Sequence, residues 1–258
     1  MSTTLSRRTF LGLTAGTTVG TLLQPAPLDA TETSAQVRAV AFDAFPIFDP
    51  RPIFALAEEL FPGRGAELSK AWRTRQFEYT WLRTVAGRYA DFWQVIEDAL
   101  VFATKDLKLD LDSQRRARLM NAYLELKTWP DVPQALKSLK AAGIRLVFLS
   151  NFSWRMLQAG IRNSGLDGMF EQLLTTDEVK QFKPAPRAYQ MAVDALGLKR
   201  EAIVFAAFAG WDASGAKWFG FPTVWVNRLN SAIEELNVSP DLTCSDLSGL
   251  VAFAISRH

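Results

Sequence analysis

Apolar and polar positions divide this chain into stretches of different texture. Residues 37–42 run Val-Arg-Ala-Val-Ala-Phe and stop at Asp43, a short apolar run of the kind that forms a buried strand. Pro46, Pro50 and Pro52 then make a hinge-like passage. Residues 53–127 carry no alternating strand pattern and read as helical throughout. Turn residues cut this block into helices over 54–61, ended by Pro62-Gly63, over 66–85, broken by Gly87, and over 89–102. Ser113, beside Asp112, is the expected N-cap of a further helix reaching 126.

From Trp129-Pro130 onward the pattern becomes repeating helix–strand units. A helix over 132–142 is closed by Gly143, and a strand follows over 144–149. Next come a helix from about Ser153, a helix over 186–196 ended by Gly197, and a strand over 202–206. A short helix over 211–219 and a strand over 223–226 complete the series. Strands alternating with helices imply a parallel sheet with right-handed crossovers. The expected fold class is therefore α/β. Residues 36–48 and 129–258 form a Rossmann-like parallel-sheet core, and residues 49–128 an inserted helical cap.

The first thirty residues stand apart. Ser6-Arg7-Arg8-Thr9-Phe10-Leu11 pairs two arginines ahead of a moderately apolar run to Leu23, then Pro-Ala-Pro-Leu-Asp-Ala30. That layout predicts a twin-arginine export signal over 1–30 and a periplasmic mature protein. The run is too short, and too rich in Gly and Thr, for a transmembrane helix, so no stable membrane anchoring is expected after cleavage. A formal net charge of +2 gives no electrostatic footprint for nucleic acid.

Composition narrows the chemistry further. The one histidine is His258 and the one cysteine is Cys244. An internal disulfide and a thiolate metal cage are excluded, and a Ser-His-Asp triad and a His-rich zinc site are not expected. Catalysis must run on carboxylates, Lys, Arg, hydroxyls and amides.

Those residue types gather where an open α/β sheet places its chemistry, beyond the carboxyl ends of the strands. The first strand ends at Asp43 and the second at Ser150-Asn151. Lys183-Pro184 lies between the second and third, and Asp212 follows the third within Gly-Trp-Asp-Ala-Ser-Gly. Taken alone, Asp43 is equally well read as a helix cap or turn anchor, and Ser-Asn as a turn opener. Together they form a coherent site: a carboxylate nucleophile, a lysine to hold it ionised, and a second acid to position the lysine or a water.

This order of strand-end Asp, Ser-Asn, Lys-Pro and a final acid resembles the haloacid dehalogenase superfamily. The helical insert is similar to one branch, the L-2-haloacid dehalogenases (type II). The similar segments include Phe61-Pro-Gly-Arg-Gly65, Ala71-Trp-Arg73, Phe77-Glu-Tyr-Thr-Trp-Leu-Arg83, Gly87-Arg-Tyr89 and Gly220-Phe-Pro222. The resemblance implies an (S)-2-haloacid dehalogenase that hydrolyses short 2-haloalkanoates without metal or other cofactor, and a homodimer. By resemblance, Asp43 attacks the halogen-bearing carbon and forms an ester that water then hydrolyses. Arg73 and Asn151 receive the halide, and Ser150 holds the substrate carboxylate. Lys183, supported by Tyr189, keeps Asp43 ionised, and Asp212 orients the water. Phe45, Phe77, Phe92 and Trp211 form the apolar wall, with ordinary core packing the alternative for Phe77 and Phe92.

Phe45 also separates this chain from the superfamily's Mg²⁺-dependent phosphatases. They place a second aspartate there to protonate a leaving oxygen, a contribution of about 10²–10⁴ in rate, whereas a halide needs no proton.

Two departures from the family pattern leave a second reading, a catalytically degenerate relative that binds small carboxylates or halide. The run Asp43-Ala-Phe-Pro46-Ile-Phe-Asp49 is one residue shorter than the family's and lacks its Gly-Thr. Ala207 and Ala209 stand where the family carries a serine and an asparagine.

Overall fold

The computed structural model describes residues 36–258, so the export signal expected at 1–30 lies outside the described residues. Six strands form one sheet: β1 (Ala39–Phe42), β2 (Arg145–Ser150), β3 (Gln172–Thr175), β4 (Ile203–Ala207), β5 (Thr223–Val226) and β6 (Leu242–Cys244). Their order is β3-β2-β1-β4-β5-β6 and every neighbouring pair is parallel. β1 therefore lies between β2 and β4, where the winding of the sheet reverses. This is the crevice in which α/β proteins bind ligands.

Residues of the central strands are buried on both faces, as a covered parallel sheet requires. Alternation sorts them. Val40, Phe42, Leu146, Phe148, Val204 and Ala206 join one apolar cluster; Ala39, Ala41, Val147, Leu149, Ile203 and Phe205 join the other. The first cluster is covered by α5 (Val132–Ala141), α6 (Trp154–Ser164) and α9 (Leu247–Ile255). The second is covered by α7 (Pro186–Leu196) and α8 (Gly210–Phe219).

Four helices intervene between β1 and α5: α1 (Arg51–Leu60), α2 (Gly65–Val85), α3 (Phe92–Asp106) and α4 (Ser113–Ala122). An antiparallel bridge from Phe48 to Thr128 closes the base of this insertion. The turn Phe61-Pro-Gly-Arg-Gly65 is needed for close approach: a Cβ at Gly65 would stand 2.2 Å from the Glu58 Cα.

The structure corrects several expectations. Helix α1 begins at Arg51, because Pro52 sits in the first turn, where a missing N–H costs nothing. Asp112, not Ser113, caps α4 by accepting from the Arg115 N–H, and that helix stops at Ala122. Asp91 caps α3, so the expected helix over 89–102 starts later, at Phe92. β3, β6 and α9 were not foreseen.

Candidate active site

The sheet delivers the site. Asp43 follows β1 directly, and its N–H donates to the Ala206 carbonyl at 3.0 Å, which extends the ladder by one residue. Ser150 ends β2 and Asp212 lies in the first turn of α8, just after β4. Between these carboxylates sits the Lys183 ammonium, its side chain 1% exposed. Lys183 Nζ donates to Asp43 Oδ1 at 2.9 Å and to Asp212 Oδ2 at 2.6 Å.

The two oxygens of Asp43 differ. Oδ1 accepts from Lys183 and, at 3.4 Å, from the Ser150 hydroxyl. Oδ2 accepts from the Phe45 N–H at 3.3 Å. The carboxylate thus has one oxygen tied by a charged donor and one held by a single long backbone contact. Oδ2 is the more nucleophilic of the two.

Tyr189 reaches Lys183 through Asp212. Its hydroxyl donates to Asp212 Oδ1 at 2.6 Å, so it acts on the second acid. Gly215 on α8 permits this approach, since a Cβ there would lie 2.6 Å from the Tyr189 hydroxyl. Burial pushes the Asp212 carboxyl up to about 6; the Lys183 charge opposes this, the Asp43 charge adds to it, and Tyr189 holds it down. Burial works against the Lys183 ammonium, but its two carboxylate partners outweigh it and raise the pKa. Burial and the neighbouring negative charge of Asp212 push Tyr189 well up, so it remains a donor.

A small cavity of about 20 Å³ faces Asp43, with Ser150, Asn151 and Asp212 in its walls. Phe45, Phe77, Phe92 and Trp211 line it, together with Phe152, Phe208 and Ala209. The aromatic wall is tight: Phe45 lies 5.1 Å from Phe152 and 5.4 Å from Phe208, and Phe77 lies 5.1 Å from Trp211 between ring centroids. This space suits about one water, so these rings must part for an organic acid to enter. Asn151 Oδ1 accepts from the Lys183 N–H at 3.0 Å, which leaves the amide NH₂ as the end available to an anion.

Arg73 is not brought into that cavity. It lines a larger neighbouring one of about 510 Å³, which shares Phe77, Phe208, Ala209 and Trp211 with the first. Its guanidinium carbon lies 5.3 Å above the Phe54 ring, and burial pulls its pKa down. The sequence placed Arg73 on α2 but could not set the angle at which α2 crosses the sheet.

Phe152 and Phe208 were missed although they directly follow the strand-end residues Asn151 and Ala207. Adjacency to those strand ends was the available signal. Among the described residues no group of three His, Cys, Asp or Glu side chains is assembled for a metal.

A family model of haloacid dehalogenase-like hydrolases matches residues 20–220. The (S)-2-haloacid dehalogenase of Pseudomonas sp. (strain YL) is 43% identical over 216 residues, 83% of this chain and 93% of that protein. A crystal structure of an L-2-haloacid dehalogenase superposes with a TM-score of 0.83 at 40% identity, covering 85% of this chain and 99% of that one. The L-2-haloacid dehalogenase of Xanthobacter autotrophicus with chloropropionic acid covalently bound gives a TM-score of 0.77 at 32% identity, covering 84% and 98%.

Proposed function

The chain belongs to the haloacid dehalogenase-like hydrolases, and on that premise we propose that it is an (S)-2-haloacid dehalogenase, converting short 2-haloalkanoates to 2-hydroxyalkanoates and halide. The observation that carries the reading is the Asp43–Lys183–Asp212 array, with apolar Phe45 beside the nucleophile.

Asp43 Oδ2 attacks C2 of the substrate from the side opposite the halogen. The carbon–halogen bond breaks with its electron pair, and halide leaves without needing a proton. The NH₂ of Asn151 receives it, and Arg73 joins when Phe77 and Trp211 part. Water then attacks the ester carbonyl carbon. Charge collects on Oδ1, where Lys183 and Ser150 already donate, an arrangement suited to a developing oxyanion. Asp212 takes the proton of the water. Burial raises the pKa of this carboxylate, which makes it a better base than an ordinary one while it is still ionised at neutral pH. The bond between Oδ2 and the carbonyl carbon breaks with its electron pair on Oδ2, Asp212 returns its proton to that oxygen, and the hydroxy acid leaves with inverted configuration at C2. The remaining water proton is lost from the regenerated Asp43 carboxyl to solvent.

Racemic 2-chloropropionate tests this reading. Chloride and (R)-lactate are expected in equal amounts until the (S) enantiomer is consumed, leaving (R)-2-chloropropionate. Absence of chloride release would overturn the reading.

A pH prediction follows from Asp212. The base must be ionised, so hydrolysis of the ester is expected to fall as pH drops through the Asp212 pKa, which lies below the free-enzyme value of about 6 once Asp43 is esterified and its charge is gone. Tyr189→Phe removes a bond that holds this pKa down, and the acidic limb should move to higher pH. Pre-steady-state rates against pH would show the shift; an unmoved limb would remove Asp212 from this role. The same raised pKa contributes stability below the unfolded value of 3.8 that is lost as pH rises through about 6.

Export is part of the proposal, supported by Arg7-Arg8 and the apolar run behind them. Cell fractionation should find the mature protein in the periplasm, and Arg7→Lys with Arg8→Lys should retain it inside. A homodimer is the expected assembly, supported by Leu82 and Val85, which are exposed on α2. Light scattering that finds a monomer would remove it.

A further inference from the structure

The loop after the nucleophile lacks the family's Gly-Thr, yet the Phe45 N–H still meets Asp43 Oδ2. Within the loop, the Ala44 carbonyl accepts from the Ile47 N–H at 3.1 Å and the Phe48 N–H at 2.8 Å. Three successive carbonyls of this loop are each held by groups outside it. The Phe45 carbonyl accepts from Trp129 Nε1 at 3.0 Å, and the Ile47 carbonyl from the Trp129 N–H at 3.1 Å. Between them, the Pro46 carbonyl accepts from Arg228 Nη2 at 2.8 Å and Nε at 3.2 Å.

Arg228 is itself fixed. It follows β5, at the same sheet edge as Asp43, and its side chain is 4% exposed. Its guanidinium grips Asp131 through two bonds of 2.9 Å and lies 4.7 Å from the Trp129 ring centroid. Arg51 covers Trp129 as well, at 4.5 Å. Asp131 Oδ2 also accepts from the Leu247 N–H at 2.9 Å, so α9 anchors the same carboxylate. Burial works against ionised Asp131, but Arg228 and the Leu247 N–H outweigh it and lower its pKa.

We infer that Arg228, seated by Asp131 and paired with Trp129, is a positioning residue for the nucleophile and does the work of the missing turn residues. Proline at 46 offers no N–H, so the loop's bond to Asp43 depends on the neighbouring peptide. That peptide joins Ala44 to Phe45, and its carbonyl accepts from the Ile47 and Phe48 N–H groups. Pinning the carbonyls of Phe45, Pro46 and Ile47 from outside fixes the segment that carries those donors, and through it the peptide. The Phe45 N–H then stays on Oδ2 and aims this oxygen at C2. A planar guanidinium can bond the carbonyl and grip a carboxylate at once, which an ammonium cannot do in the same plane. This inference rests on the dehalogenase reading and adds to it a cluster more than eighty residues downstream of Asp43, extending to position 228.

The test measures the single-turnover rate of ester formation per titrated Asp43, using (S)-2-chloropropionate and intact mass. Arg228→Lys and Trp129→Phe are the variants; each weakens one grip, and two variants guard against one failing to fold. A purely structural role would lower the melting temperature and the fraction of titratable sites but not the rate per site. Displacing the reacting oxygen should lower that rate about tenfold to a hundredfold, with binding of unreactive propionate unchanged. Wild-type rates per site in both variants would overturn the inference while leaving the dehalogenase reading intact. A wild-type protein that releases no halide would overturn both.

Discussion

Asp43→Ala is expected to abolish halide release, by about 10⁴-fold or more, because the other carboxylate in the cavity, Asp212, has both oxygens engaged by Lys183 and Tyr189. The fold should survive the change. Lys183 keeps its 2.6 Å contact to Asp212, so the buried ammonium is still paired. Loss of the Asp43 charge also removes one of the influences that raise Asp212, whose pKa should fall. Stability above that pKa is therefore expected to hold or rise. Halide assays combined with thermal melts separate these effects: an inactive, well-folded protein supports the assignment. Residual turnover within tenfold of wild type would refute it.

Lys183→Met attacks both chemistry and stability. Asp43 and Asp212 would share a buried space without the cation that stands 2.9 and 2.6 Å from their oxygens. Breaking a buried pair by removing one partner typically costs about 3–5 kcal/mol. One carboxyl should then take up a proton near neutrality, which relieves the repulsion. The destabilisation is thus expected to be largest at alkaline pH and to shrink as pH falls. Activity should drop by about 10²–10³-fold from the lost oxyanion donor. Denaturant melts at two pH values with parallel halide assays would check this. A loss of stability independent of pH, with turnover intact, would show that Lys183 does not hold these acids ionised.

Much of the site was legible because its parts lie at strand ends. The apolar run before Asp43, the run before Ser150-Asn151 and the one before Gly-Trp-Asp212 each carry a period and a stop. Parallel topology then brings the three ends to one edge without further information. Three elements escaped for two different reasons. β3 and β6 are short and only partly buried, so they carry no continuous apolar run, and α9 is apolar nearly throughout and shows no clear face. The Asp112–Ser113 pair contains two residues able to cap, and which one does so depends on where the chain turns.

Contacts across the fold were less legible than membership of the site. That Tyr189 meets Asp212 depends on the missing Cβ at Gly215, a packing detail of two successive helices that the sequence pattern does not show. Arg73 belongs to α2, and its distance from the nucleophile is set by how the inserted helices sit over the sheet and by the aromatic wall between the two cavities. The Arg228–Asp131–Trp129 cluster was invisible, since arginine after a strand looks like any surface residue until its partners are known. The shortened loop at Pro46 was read as a defect from sequence, and the structure supplies three outside donors along it.

The most direct test of Asp43 as nucleophile is oxygen transfer in ¹⁸O-labelled water. With enzyme in excess over (S)-2-chloropropionate, the lactate of the first turnover should carry unlabelled oxygen at C2, donated by Asp43. After many turnovers, the peptide containing Asp43 should carry the label. Lactate labelled at C2 in the first turnover, with Asp43 unlabelled throughout, would mean that water attacks the substrate directly and would contradict the account.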